Sequence, residues 1–291
     1  MGNTAYELES VSADIDRIIE RRPHAGAILH AFRSIILEKI RLLQRLQDDK
    51  RTFPLDATRF CEGVALIQQV QLFLPDDPWK EIATAVTGAI SQGFPTLAQD
   101  MERLGEQVAA GEVDCYDFFR EPSADGDLQL VTWASEIQIS TTALGLFLRV
   151  VASLILSKRR MDMAEELKPL PWTKGYCPVC ASMPMLSVIR EEGQQWLQCS
   201  QCRHEWIFPR MTCPYCNHQS PDATEYFYVE GETNEKALVC GKCKRYLVTV
   251  NQAGALNRSH PAVIAMSLTH LDLILQEKGY SQMVVSDWNS L

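Results

Sequence analysis

No run of about 20 uncharged apolar residues, the length that a bilayer-crossing helix needs, occurs in this 291-residue chain. Its most apolar stretch, ALGLFLRVVASLIL from Ala143 to Leu156, ends after 14 residues and contains Arg149. A buried core helix is expected there, and no membrane insertion. The opening MGNTAYELESVSADIDRIIE is polar and acidic where a secretory signal carries an apolar centre. Arg21-Arg22 is followed by apolar residues interrupted by Arg33, Glu38 and Lys39, and Tyr6 stands where a myristoylation signal requires Ser or Thr. The expected compartment is the cytoplasm.

Catalytic signatures are missing as well. The chain has no GxGxxG, P-loop, HExxH or GxSxG pattern, so an enzyme is not indicated. Nor is there a positive excess. Residues 171–258 hold nine Lys/Arg against eight Asp/Glu, a formal +1, while 1–170 carries −8 and 259–291 carries −2. A phosphate-binding surface is a basic stripe or patch. Lys242, Lys244, Arg245 and Arg258 are the only basic grouping of note in the cysteine-rich part, and they read as solvated charges near a turn. Nucleic acid is not the expected partner.

What the chain does have changes character near Pro169-Leu170-Pro171-Trp172. Before this point the periodicity is helical: Ile28, Phe32, Ile35, Ile36, Ile40 and Leu43 recur at spacings of three and four. Asp77-Pro78 reads as an N-cap with proline at the first helical position. Pro95 to Ala110 reads as a helix stopped by Gly111. A helical pattern returns from Asp127 to Glu166, as one long central helix. Beyond Pro171 come short β-like runs, QQWLQC, TEYFYVE and RYLVTV. Ser259-His260-Pro261 then opens a last helix with Ile264, Leu268, Leu271 and Leu275 on one face.

Eight of the ten cysteines fall in four CxxC pairs: Cys177/Cys180, Cys199/Cys202, Cys213/Cys216 and Cys240/Cys243. Cys177 and Cys213 are 36 residues apart, so the region reads as a duplicated four-cysteine ribbon. A CxxC turn aims two sulfurs at one point, and a second turn carried on a hairpin completes a tetrahedron suited to zinc or to a single iron. The expectation is two tetrahedral four-thiolate metal ions per chain, one on Cys177, Cys180, Cys199 and Cys202, the other on Cys213, Cys216, Cys240 and Cys243. The competing arrangement is cross-braced, with alternate pairs sharing a metal. In a reducing compartment such pairs are metal ligands or catalytic thiols sooner than disulfides. Ribbons of about 40 residues depend on metal to fold, and each is expected to fold locally around its own ion. Trp196, Trp206 and Tyr246 are expected to pack their small cores.

A redox reading competes at CPYC, Cys213 to Cys216, a tetrapeptide also found in glutaredoxins. That chemistry needs the first cysteine at a helix N-terminus, and Asn217-His218-Gln219-Ser220-Pro221 does not start a helix. His204 and His218 read as neighbours of the sites, not ligands. Cys61 and Cys115, unpaired in helical segments, read as core residues without chemistry. An electron carrier with redox-active iron and a zinc-ribbon nucleic-acid binder are the other function classes left open.

Trp172, GYCPVCASMP, LQCSQCRHEW from Leu197 to Trp206, TCPYCNH, CGKCKRYL from Cys240 and a helix carrying LDLILQEKGY follow in that order over about 110 residues. This succession resembles the formate dehydrogenase accessory (formation) protein family, FdhE. Ala181 and Asn217 stand where glycine is usual after the knuckle, which suggests less strained turns there. The resemblance implies a cytoplasmic maturation factor for respiratory formate dehydrogenase, not a dehydrogenase. Its partner would be the catalytic subunit, a molybdenum or tungsten iron–sulfur enzyme, bound before export by the twin-arginine route. It also implies rubredoxin-like sites, which puts iron beside zinc. The expected fold is α+β and multidomain: a multi-helical domain at 1–170, four-cysteine ribbons at 171–210 and 211–258, and a C-terminal helix and tail at 259–291. Oligomeric state is not readable.

Overall fold

Leucine and isoleucine stripes and a few polar caps dictate the helices. A computed structural model describes residues 8–120, 126–190, 193–219, 224–229, 234–251, 259–286 and 288. In the helical part, α1 spans Leu8–Arg21, α2 Gly26–Arg45, α3 Ala57–Glu62, α4 Trp79–Gly93, α5 Ala98–Ala110, α6 Asp117–Arg120, α7 Gly126–Glu136, α8 Thr141–Asp162 and α9 Ala164–Leu167. The stripe on α2 buries Phe32, Ile35, Ile36 and Ile40 against α4 and α8. Gly111, at φ 78°, caps α5 as the sequence suggests.

The long central helix is instead divided. Gln138 turns the chain at φ 57°, and the Ser140 hydroxyl accepts from the Ala143 amide at 3.2 Å, capping a new helix. That helix, α8, is long and apolar enough to cross a membrane, yet 72% of its apolar window is buried inside the protein. It is the core helix that the Ala143–Leu156 run predicts.

Asp77 is not the N-cap of α4, which begins at Trp79 with Pro78 before it. Its carboxylate accepts from the Leu74 amide at 2.9 Å and pairs with Arg159, buried on α8. Arg159 Nε also donates to the Leu72 carbonyl at 2.8 Å, with Phe53 lying 5.6 Å beneath the guanidinium. The preceding residue, Lys158, also buried, donates to the Asp49 carbonyl and pairs with Asp162 one turn on. Charges buried this deeply persist only when paired. Here they tie the irregular chain between α2 and α4 onto α8.

After Pro171 come β1 (Pro184–Ile189), β2 (Gln195–Cys199), β3 (Glu205–Ile207), β4 (Thr224–Tyr228), β5 (Glu235–Cys240) and β6 (Arg245–Asn251). They form one sheet in the order β3-β2-β1-β6-β5-β4, with the two-residue β7 (Ser281–Gln282) added beside β6. Each cysteine module supplies three antiparallel strands. The modules join where β1 runs parallel to β6, Ser187 opposite Thr249 and Ile189 opposite Asn251.

The last helix is two, α10 (Pro261–Ser267) and α11 (Thr269–Glu277). The Ser267 hydroxyl donates back to the Ile264 carbonyl at 2.7 Å, a bond that competes with helix continuation and bends the chain. Ile264, Leu268, Leu271 and Leu275 cover one sheet face, over Ala237, Val239 and Val248, while Ala262, Val263 and Met266 enter the helical core. α10 is thus shared between the two halves. Arg22 reinforces the join by pairing with Glu235 on β5 and donating to the Ser267 carbonyl at 3.2 Å.

Candidate metal centres

Each CxxC is a tight turn closed by backbone bonds. In the first, Ala181 N donates to Cys177 O at 3.0 Å and Cys177 N to Ser182 O at 2.9 Å. The third repeats this with Asn217 N to Cys213 O and Cys213 N to His218 O, both 2.9 Å. Cys199 N donates to His204 O and Lys244 N to Cys240 O, again at 2.9 Å, in the second and fourth. The residue after every second cysteine is left-handed: Ala181 at φ 59°, Arg203 at 59°, Asn217 at 57° and Lys244 at 56°. None of the four is glycine, and an L-residue pays about 1–2 kcal/mol for that conformation. The expectation of less strained turns at Ala181 and Asn217 is therefore corrected: the turn keeps its geometry, and the missing glycine adds strain.

The four turns converge locally, in chain order. Cys177, Cys180, Cys199 and Cys202 form one cluster and Cys213, Cys216, Cys240 and Cys243 another, with the sulfurs of each cluster within 4.8 Å of one another. In the first, Cys177 and Cys202 sulfurs are 3.4 Å apart, Cys180 and Cys199 3.3 Å, and Cys180 and Cys202 3.7 Å. In the second, Cys213–Cys243 and Cys216–Cys240 are both 3.7 Å. Four sulfurs around an ion at bonds of about 2.3 Å stand about 3.8 Å apart. The donor sets fit one tetrahedral ion each, and the alternating, cross-braced arrangement is not the one formed.

Without an ion, neighbouring thiols are driven in opposite directions. Burial pushes Cys177 and Cys202 well up, while bonds from the Cys177, Cys199 and Cys202 thiols pull Cys180 well down. In the second cluster burial raises Cys213, and raises Cys243 to about 11. Burial acts upward on Cys240 too, but the Cys243 and Lys242 amides aimed at its sulfur bring it down. A bound cation would supply the charge that burial withholds.

The surroundings of the clusters differ. The first is enclosed, none of its cysteines more than 7% exposed. The chain after α3 bonds its first turn directly: Leu66 N donates to Pro178 O and Ile67 N to Val179 O, both at 2.9 Å. Tyr176 OH donates to Gly63 O at 2.6 Å, and Ser153 Oγ on α8 donates to Gln201 O in the second turn at 2.7 Å. Phe60, Leu66, Leu72, Leu156 and Met163 pack around these sulfurs with Trp206, whose indole donates to Lys174 O at 3.1 Å. The first ribbon therefore does not pack by itself. Its metal-site turns share a core with the helices.

In the second cluster Cys213 and Cys240 are buried, but Cys216 and Cys243 are half-buried. Tyr215, 47% exposed, lies under the Arg245 guanidinium at 4.0 Å. The clusters meet at Gly175, where any side chain would strike the Pro214 carbonyl, 1.9 Å from an added Cβ. Only glycine allows this approach.

Other sequence expectations divide. No helix follows CPYC over 217–219; Ser220 and Pro221 lie outside the described residues, as does Arg258. His204 and His218 stand beside the clusters and are not members of either. His204 stacks on Trp206, and burial brings it down to about 4. Trp206 and Tyr246 are buried, but Trp196 is only partly covered, beneath Arg190 at 4.7 Å. Cys115 belongs to the helical core, whereas Cys61 is exposed on α3 and is no core residue. The grip of residues 63–67 and Ser153 on the first cluster was not foreseen. Its one sequence trace is Lys158-Arg159-Arg160 closing a helix otherwise apolar enough to be buried.

Comparison with known proteins agrees with the motifs. Residues 176–210 match the model "FdhE, central domain". Among curated proteins, an FdhE homolog of Aquifex aeolicus is 32% identical over 115 residues, 38% of this chain and 40% of its own length. An FdhE homolog of Citrobacter koseri is 26% identical over 72% of this chain and 65% of its own, and FdhE of Salmonella paratyphi B 28% identical over the same shares. The chain thus spans between two fifths and just under two thirds of these relatives. The crystal structure of the FdhE protein from Pseudomonas aeruginosa shares the fold, with a TM-score of 0.60 at 21% identity over 99% of this chain and 97% of that one. Its motifs, its matched central domain and its fold thus agree in likening this chain to the FdhE proteins.

Proposed function

We propose that this protein is an accessory factor for the maturation of a respiratory formate dehydrogenase, binding the catalytic subunit in the cytoplasm before export and catalysing no reaction of its own. The observation that carries the reading is the pair of closed four-cysteine clusters in a chain that resembles the FdhE proteins. Four protein sulfurs fill a tetrahedral ion, whereas a catalytic zinc keeps a position open for water or substrate.

Iron or zinc in these sites would act first as a structural crosslink, holding each pair of turns together. The chain's own residues do the rest. Residues 63–67 and Ser153 bind the first cluster to the helices, and α10 binds the sheet to the same helices from its other face. The result is one body that offers a client both helical and sheet surface. On the helical side a groove of about 540 Å³ runs between α2 and α4, lined by His30, Arg33, Arg41, Ala85 and Gly88 among others. On the sheet side Tyr215 and Tyr228 stand exposed. A factor that must release its client before export needs an interface of modest area.

Deleting the gene is expected to lower formate dehydrogenase activity while its subunits are still made, and a pull-down is expected to recover the catalytic subunit. Undiminished activity together with a pull-down free of formate dehydrogenase peptides would overturn the reading.

A further inference from the structure

The two clusters have the same ligands and nearly the same turns, so any difference in how they hold an ion comes from their surroundings. Exchange at an ion already bound by four sulfurs requires an incoming donor to reach the ion or a protein sulfur to swing away. Both need a path to solvent and a turn free to move.

The first cluster has neither. Its sulfurs are enclosed, its first turn is bonded to Leu66 and Ile67, and its second to Ser153. Moving any of these cysteines means parting the helices from the sheet. In the second cluster the outer cysteine of each turn, Cys216 and Cys243, is half-buried, so the edge between them is the side open to solvent. Lys242 and Lys244, both exposed, flank Cys243 in the chain, with the Lys244 ammonium 5.5 Å from the Tyr280 ring, and Arg245 covers Tyr215. A divalent ion with four thiolates has a formal charge of −2. Cations at the rim balance that charge and also attract an anionic donor.

We propose that the second cluster is the exchangeable metal site of this protein, giving up and regaining its ion across the Cys216–Cys243 edge to a small thiolate or comparable anionic chelator, while the first keeps its ion as long as the chain is folded. This rests on the four-thiolate reading above. In each step the incoming donor would form a bond to the metal as one cysteine bond breaks, those to Cys216 and Cys243 first and those to Cys213 and Cys240 last, and each released thiolate would take a proton from water. The metal's oxidation state does not change. Because Pro214 packs on Gly175, emptying the second site loosens the lead into the first turn without opening the first cluster.

The test uses the full chain loaded with zinc(II), challenged with the chromogenic chelator 4-(2-pyridylazo)resorcinol, with N-ethylmaleimide labelling read by mass spectrometry in parallel. Two equivalents are expected in denaturant. Under native conditions one should leave at least about 100-fold faster than the other, as local opening outpaces parting of a shared core. Cys61, exposed and outside both clusters, should label at once. Cys216 and Cys243 should label with the fast equivalent, and the first four cysteines only with the slow one. A Cys216→Ser, Cys243→Ser double variant should keep the slow equivalent alone. Release of both ions at one rate, earlier labelling of Cys177 or Cys180, or loss of both ions in the double variant would overturn the proposal. A chain that takes up no zinc would instead sink the four-thiolate reading, and this proposal with it.

Discussion

Cys177, Cys180, Cys199 and Cys202 lie beneath residues 60–72 and the end of α8, whereas the outer cysteines of the second quartet are half open to water. The turns that carry both sets are alike down to the left-handed residue after each pair. A repeat in sequence therefore reproduces the local chemistry, while the role of each copy is set by what the fold packs against it. In this chain the first metal centre is bonded to the helices through both of its turns, whereas the second keeps one edge open to solvent.

The largest effect expected from this contrast is that of removing the first centre. Replacing Cys177 and Cys180 with serine should cost about 10 kcal/mol, the scale of a structural four-thiolate ion. The shared core of helices and sheet should go with it, read as loss of near-UV circular dichroism and of protease resistance. If the helical part stayed native, the joining role would be wrong.

Next comes the buried ion cluster behind that centre. Arg159→Met leaves Asp77 without its buried partner and should cost about 3–5 kcal/mol in urea denaturation. It should also bring forward labelling of Cys177 and Cys180 but not of Cys216. Equal acceleration at both clusters would blur the comparison.

Ala181→Gly and Lys244→Gly test the likeness of the turns. Each relieves a left-handed L-residue against the freedom that glycine adds to the unfolded chain, for a gain of about 1 kcal/mol or less. Similar gains at the two clusters are expected, and a loss at either would show that side-chain contacts outweigh backbone strain there.

The smallest effect at neutral pH lies at the junction served by α10. Burial, with Arg203 and Lys39 nearby, brings His260 down to about 3, and its Nδ1 accepts from the Ala262 amide at 3.3 Å. The unfolded chain binds that proton near the ordinary histidine value of about 6.5. Stability from this residue is therefore present above pH about 6.5 and lost as the pH falls toward about 3. His260→Asn keeps an N-cap acceptor and should flatten that acid limb of a denaturation series; an unchanged limb would contradict the assignment.

Much of this was legible because it is local. CxxC spacing, the α2 stripe and the Gly111 stop each involve residues within a few turns of one another, and the structure realises them. What was not legible depends on distant partners. Asp77 does not cap α4, because its carboxylate is taken by the Leu74 amide and by Arg159, 82 residues away. Nothing near Leu66 or Ile67 announces that their amides bond the turn at Pro178 and Val179. The break at Gln138 and the bend at Ser267 each turn on one residue inside an otherwise continuous helical pattern. The joining of two ribbons into one sheet is a parallel contact between the first strand of one copy and the last of the other, a pairing that no hairpin spacing encodes.

The central claim, two four-thiolate ions held locally in unequal settings, is tested most directly by native mass spectrometry of the full chain purified without oxygen, beside a Cys213→Ser, Cys216→Ser variant. Two ions per wild-type chain and one, still bound, in the variant are predicted. A wild-type chain without metal, or a variant that has lost both ions, would contradict the account.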